Sequence, residues 1–430
     1  MKPSELLPLL ALPRVGYPLL MSIGTLQDPL TRSVPEPVRE HGRLVRVVVP
    51  LAVMYNGCLA IINAHVMPLG FSHVALVEIT LLFVTLLYLL YRGLSEEALP
   101  IVALVGFFAL VMVYTSVVNG TAFVDFFRNI LIIGVFCQLG MMTNRRSLAF
   151  VFRVCCAFIL SVLLVEIFFT RIYEDLFYPA LYFTNTRGLE QVAFGGAKIF
   201  QNAINIPGRF SFGLSDHRTS SLFLEQVSLA NFSGVLCIYL VSRFNQITRF
   251  DRVLILATVA FILLTNDSRS MLAFAFICLF GYFLFPKTSN GIRPFIMPVV
   301  ICAGALVYLM RPDASGDTFD GRIVLTMKGF FSLDFVELLA LDVSNIASFA
   351  DSGYIYVINA STVFGLLTFW LFVSFYPAGQ TAAQKRCAFA LGIFISLNMM
   401  IGGTAIFSIK VASLLWLLVG HMRVAEKERS

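Results

Sequence analysis

The sequence predicts an all-α, polytopic membrane protein of about twelve spanning helices, and three observations carry that expectation. The first is composition: 58% of the 430 residues are hydrophobic and 13% charged, with a mean hydropathy of +0.84, far outside the range of water-soluble domains. The second is recurrence, because apolar windows near the roughly 20 residues needed to cross a bilayer core about 30 Å thick return along most of the chain. The third is charge placement. Lys and Arg cluster in alternate short connections, as the preference for positive residues on the cytoplasmic side demands.

The same composition sets aside other classes. All eight cysteines fall in apolar windows and none in a long polar connection, so no disulfide framework or thiolate metal site is expected. The five histidines lack the H-x-x-x-H and H-E-x-x-H spacings of metal sites. The net charge of +6 is accounted for by basic inside loops, not by nucleic-acid binding.

Taken in order, residues 1–45 hold Pro3, Pro8, Pro13, Pro18, Pro29, Pro35 and Pro37 between apolar runs too short to span. They are expected to form a cytoplasmic tail on the membrane surface, with no cleaved signal peptide. The spans are then expected near 46–67, 72–91, 99–118, 121–142, 147–169, 225–242, 253–266, 271–284, 295–310, 354–376, 387–400 and 405–420. The seventh and eighth are short, and the turn joining them is expected to dip into the bilayer. Arg92, Arg145, Arg146, Arg249, Lys287, Lys385 and Arg386 mark one side, which is assigned to the cytoplasm. The opposite short connections carry no Lys or Arg, so both long connections, about 170–224 and 311–352, face outward. Residues 46–422 thus form one transmembrane domain, followed by a cytoplasmic tail at 423–430. Both termini are inside.

Depth then follows for the ionisable residues within spans at 1.5 Å per residue. Glu78, Asp125, Arg128, Glu166, Asp267, Arg269 and Lys410 fall in the outer half, and Arg153 toward the inner end. Cations such as Arg128 and Lys410 cost several kcal/mol in hydrocarbon unless water, partners or an anionic ligand surround them. An outward-facing charged cavity is expected, although Asp125 and Arg128, three residues apart, can also neutralise each other.

The first long connection opens with Phe177, Tyr178, Tyr182 and Phe183, expected at the membrane interface. Residues 191–205 are expected as a short amphipathic helix, followed by Arg209, His217 and Arg218 near the cavity mouth. In the second, residues 321–333 form an amphipathic helix bearing Arg322 and Lys328, with Asp317 and Asp320 as expected caps. Asp351 is a candidate N-cap for the next span.

The stretches HRTSSLFLEQVSLANF at 217–232, SRS at 268–270, the helix begun by Gly321-Arg322 and DSGYIYVINASTVFGLLTF at 351–369 resemble the O-antigen polymerase and ligase superfamily, and most closely its Wzy-type polysaccharide polymerases. The resemblance implies a GT-C-like glycosyltransferase fold in a bacterial inner membrane. It also implies a substrate carried on undecaprenyl diphosphate, membrane lipid as a partner, no metal or cofactor, and cooperation with a flippase and a chain-length regulator. The ligase branch carries a histidine in its second long loop, and this chain has none there.

With that resemblance, Arg128, Arg209, Arg218, Arg269, Arg322 and Lys410 are expected to clamp the diphosphate leaving group, since fixed cations stabilise its developing charge and arginine engages phosphate bidentately. His217, Asp351 and Glu225 are the candidates for the base that takes the acceptor proton. The expected reaction is polymerisation of lipid-linked repeat units. The alternatives are a ligase that hands glycan to another acceptor, or a transporter of lipid-linked oligosaccharide.

Overall fold

A computed structural model describes residues 41–189, 198–199, 212–316, 318–343 and 352–424. Residues 1–40 of the tail expected at 1–45, most of the expected helix at 191–205, Arg209, Asp317 and Asp351 lie outside these residues, while residues 41–45 of that tail form the first turn of a helix that begins at His41. Among the described residues the chain is helical throughout, with no β-strand.

Five helices open the chain: α1 (His41–His65), α2 (Phe71–Arg92), α3 (Leu99–Val118), α4 (Asp125–Met141) and α5 (Arg145–Phe168). Two short helices, α6 (Thr170–Phe177) and α7 (Pro179–Arg187), occupy the start of the first long connection. After it come α8 (Gln226–Arg243), α9 (Arg249–Thr265), α10 (Arg269–Leu284) and α11 (Ile296–Met310). The second long connection contains α12 (Phe319–Ser332) and α13 (Phe335–Leu338), and the chain closes with α14 (Gly353–Phe375), α15 (Ala382–Ile401) and α16 (Ile409–Val424). Every window expected to span falls on one of these helices.

Among the described residues, eight helical segments are long and apolar enough to cross a membrane. They begin in α1, α2, α3, α5, α8, α10 and α14 and in the 3-10 turn that leads into α11. The protein is therefore polytopic and membrane-embedded in character. The other four long helices fall short for identifiable reasons: α4, α9 and α16 have 17, 17 and 16 residues, or roughly 25 Å of rise, and α15 carries Gln384, Lys385, Arg386 and Asn398.

Packing divides the helices into two classes. In α4 every residue from Ile132 to Met141 is buried, and in α16 every residue from Ile409 to Met422. These two helices meet through glycines: a Cβ on Gly140 would strike the Leu417 carbonyl, and one on Gly420 the Cys137 carbonyl. Small residues let backbones approach in this way where no aqueous hydrophobic effect drives helices together. The outer helices do the reverse, leaving Phe83, Leu90, Phe280, Phe283, Val299 and Leu309 exposed, a surface for which lipid is the fitting solvent. Helix α14 is interrupted at Thr362, whose φ of 75° is a strained conformation for a β-branched residue.

Several local expectations change. Phe177, Tyr182 and Phe183 are buried because α6 and α7 fold back onto α1 and α2; only Tyr178 of that aromatic group stays partly exposed. The cap of α12 is Thr318, whose hydroxyl accepts from the Gly321 amide at 3.1 Å, while Asp320 pairs with Arg311 at 3.0 Å. Ser352 caps α14 through the Ile355 amide. That position supplies the acceptor expected from Asp351. Helices α9 and α10 are longer than expected, since residues 249–252 and 269–270 join their first turns.

Candidate functional site

A cavity of about 1290 Å³ opens among α1, α2, α4, α7, α12, α14 and α16 and the residues before α8. Six cationic side chains line it among the described residues: Arg128, Arg187, Arg218, Arg322, Lys328 and Lys410. Three carboxylates accompany them, Glu78, Asp125 and Glu225. An excess of positive charge in a concave, partly apolar site favours an anionic ligand.

The charges are brought together from several elements. Asp125 and Arg128 lie on the first turn of α4, and the expected local pair forms at 3.0 Å. Arg128 also reaches Glu78 of α2 at 3.5 Å, so one guanidinium is shared by two carboxylates. Both carboxylates are held again from the other side. The Tyr55 hydroxyl of α1 donates to Glu78, and the Tyr356 hydroxyl of α14 donates to Asp125 at 2.7 Å. Asn129 completes the group, its amide donating to the Tyr356 oxygen at 3.1 Å.

Lys410 presents a different case. It enters at the start of α16 with 3% exposure, and its ammonium lies 3.1 Å from Glu225, the N-cap position of α8. Glu225 also takes Arg187 of α7 at 3.1 Å and the Ser228 hydroxyl at 2.8 Å. Burial works against the charge on Arg187, and the Glu225 carboxylate outweighs it, so the guanidinium titrates above its ordinary range.

Arg218 and Arg322 sit on another wall. Arg218 donates from Nε to the Asn266 carbonyl at 2.9 Å, and Arg322 to the Ile401 carbonyl at 3.0 Å. Both also line a smaller cavity of about 100 Å³ beside the first, where Arg269 lies with Ser268, Ser270 and Asn231. On α12 the lining residues Arg322, Leu325 and Lys328 fall three residues apart, the spacing of neighbours on one helical face.

The segment that carries Arg218 is fixed from within the bundle. Glu166 of α5 is fully buried, and its carboxylate accepts from the Ser220 amide at 3.0 Å, the Ser221 amide at 2.6 Å and the Ser220 hydroxyl at 3.3 Å. From the α9 side, Asn266 donates to the carbonyls of Thr219 at 2.6 Å and Gln226 at 2.9 Å. These bonds hold a turn in which Ser221 and Leu224 have φ of 47° and 60°.

No family model, curated protein or solved structure matches this chain. Its own geometry is what bears on function.

Of the cations expected to grip a diphosphate, Arg128, Arg218, Arg322 and Lys410 line the large cavity, although they come from positions 128 to 410 of the sequence. Arg269 lines the smaller neighbour, and Arg209 lies outside the described residues. Of the residues expected to act as base, Glu225 lines the cavity and Asp351 lies outside the described residues. His217 is not among the lining residues. It is buried, with Nε2 3.3 Å from Glu166, because the turn held by Glu166 points it inward while Arg218 faces the opening. Arg153, expected near the inner end, pairs with Asp251 of α9 at 2.6 Å.

Sequence reasoning missed Arg187 and the tyrosines Tyr55, Tyr182 and Tyr356 as lining residues, and did not count Lys328 among the phosphate ligands. An Arg at the end of a loop helix is ordinary in sequence. Only its partner Glu225, 38 positions away, marks it.

Proposed function

We propose that the chain is an integral-membrane glycosyltransferase that polymerises oligosaccharide repeat units carried on undecaprenyl diphosphate, at the outer face of a bacterial inner membrane. The observation that carries this reading is the convergence of Arg128, Arg218, Arg322 and Lys410 on one cavity of about 1290 Å³, large enough for a diphosphate and several sugar rings. We read α4, α9, α15 and α16 as spans alongside the eight longer segments, which gives twelve spans with both termini in the cytoplasm and a GT-C-like arrangement.

In this reading Arg218, Arg322, Lys328 and Lys410 face the diphosphate of the donor, with Arg269 reaching it from the smaller cavity. An acceptor hydroxyl oxygen attacks the anomeric carbon, the bond from that carbon to the diphosphate oxygen breaks, and polyprenyl diphosphate departs with the electron pair. Fixed cations around the departing oxygens stabilise this charge without reorganisation, commonly the largest catalytic contribution. Glu225, the one described cavity residue among the three expected bases, is held ionised by Lys410 and Arg187. It orients the acceptor hydroxyl and directs its proton toward the solvent of the cavity. His217 serves as a support for the Arg218 turn.

The decisive experiment supplies purified protein in detergent with lipid-linked repeat units as the only substrate. A ladder of products differing by one repeat is expected, and Arg218→Gln or Arg322→Gln abolishes it. A ligase leaves the repeats unjoined until a different acceptor is added, and a transporter leaves them unjoined throughout. Either result removes the polymerase reading.

A further inference from the structure

The charges of the large cavity are not mixed evenly, and their division assigns different parts of a substrate to different walls. On α12 and at the start of the turn before α8 stand Arg218, Arg322 and Lys328, while Glu225, which ends that turn, is taken up by Lys410 and Arg187. On the wall made by α2 and the first turn of α4 stand Glu78, Asp125 and Arg128. The first group sums to three positive charges. The second sums to one negative charge, since Arg128 is shared between two carboxylates at 3.0 and 3.5 Å.

A diphosphate is repelled by a wall of net negative charge whose single cation is already paired twice. Neutral sugar is not. Its hydroxyls donate and accept, and they are met best by acceptors whose positions are fixed in advance. Glu78 and Asp125 are fixed in this way, each between Arg128 and a tyrosine hydroxyl, Tyr55 for Glu78 and Tyr356 for Asp125. A carboxylate accepts at two oxygens with about four lone-pair positions, so these bonds leave capacity on both. Phe71 and Phe123 line the cavity with them and offer apolar ring faces to the C–H surface of a pyranose.

We propose that the α2–α4 wall is the glycan subsite: Glu78 and Asp125 accept hydrogen bonds from sugar hydroxyls, while the diphosphate lies on the Arg218, Arg322 and Lys328 wall. Arg128, expected from sequence to touch phosphate, instead positions the two carboxylates. This assignment rests on the polymerase reading for the identity of the lipid carrier, and it names the part of the substrate each wall takes.

Two probes separate the walls: undecaprenyl diphosphate without sugar, and the same lipid bearing the repeat unit extracted from cells that carry this chain. Binding of each is measured to the purified full-length protein. Asp125→Asn and Glu78→Gln keep side-chain size, and a thermal melt confirms that each variant is folded. Each is expected to weaken the glycan-bearing probe tenfold or more while changing the bare lipid less than twofold. Arg322→Gln and Lys328→Gln are expected to weaken both probes by similar factors. The subsite assignment is overturned if the carboxylate variants weaken both probes equally, or neither. Wild-type protein that binds no bare undecaprenyl diphosphate overturns the polymerase reading, and the subsite with it.

Discussion

Lys410 is a buried cation, and its pairing with Glu225 yields a prediction that does not depend on function. The ammonium is 3% exposed and 3.1 Å from one carboxylate oxygen. Removing one partner of a buried pair costs about 3–5 kcal/mol, because the other charge stays behind without compensation. In Glu225→Gln the amide oxygen still accepts one hydrogen bond, so the loss is expected at about 2–3 kcal/mol. Lys410→Met is milder, since Glu225 is partly exposed and keeps Arg187 at 3.1 Å and Ser228 at 2.8 Å; about 1–2 kcal/mol is expected. In the double variant neither charge is stranded, and its loss falls short of the sum of the singles by roughly 1–3 kcal/mol. The assay is thermal unfolding of the four proteins in one detergent, followed through the fluorescence of Trp370 and Trp416. Glu225→Gln should melt lowest of the two singles, with the double variant above the additive expectation. Strict additivity, or a Glu225→Gln protein that melts with wild type, would refute the pairing as a buried one.

Two further outcomes follow from packing. Gly420→Ala places a Cβ against the Cys137 carbonyl, backbone that cannot swing aside, and should cost about 1–3 kcal/mol as overpacking does; a melting temperature equal to wild type would mean that α4 and α16 are not in contact there. Glu166→Gln replaces one of the two oxygens that accept from the amides of Ser220 and Ser221 with a donor, at a cost of about 1–3 kcal/mol for an unmatched buried group. Limited proteolysis should then cut the 212–225 segment faster than in wild type, and an unchanged cleavage rate would show that another contact holds the turn.

What is legible in the sequence follows from what hydrocarbon penalises. A lysine or arginine within an apolar window is costly wherever it packs, so Arg128 and Lys410 stand out from their sequence neighbours alone, and both line the cavity. The helices are legible for the same reason, since a chain this apolar has few ways to satisfy its backbone. Partnership is not legible. Glu166, a charge within the apolar window of α5, lines neither the large cavity nor its smaller neighbour and holds the turn that buries His217; in the sequence an anchoring carboxylate and a lining one look alike. Tyrosine hides its role more completely, because burying a ring is favourable by itself and only the fate of the hydroxyl distinguishes Tyr356, which donates to Asp125, from Tyr354, which donates to the Ser396 carbonyl in the bundle interior. The two residues are two positions apart on the same helix and fully compatible with core packing. Sequence therefore reveals the expensive atoms of a membrane site and conceals the inexpensive ones that aim them. For this cavity the consequence is specific: the charges inside apolar windows, Glu78, Asp125, Arg128 and Lys410, are visible in the sequence, and Arg187 and the tyrosines that hold the two carboxylates are not.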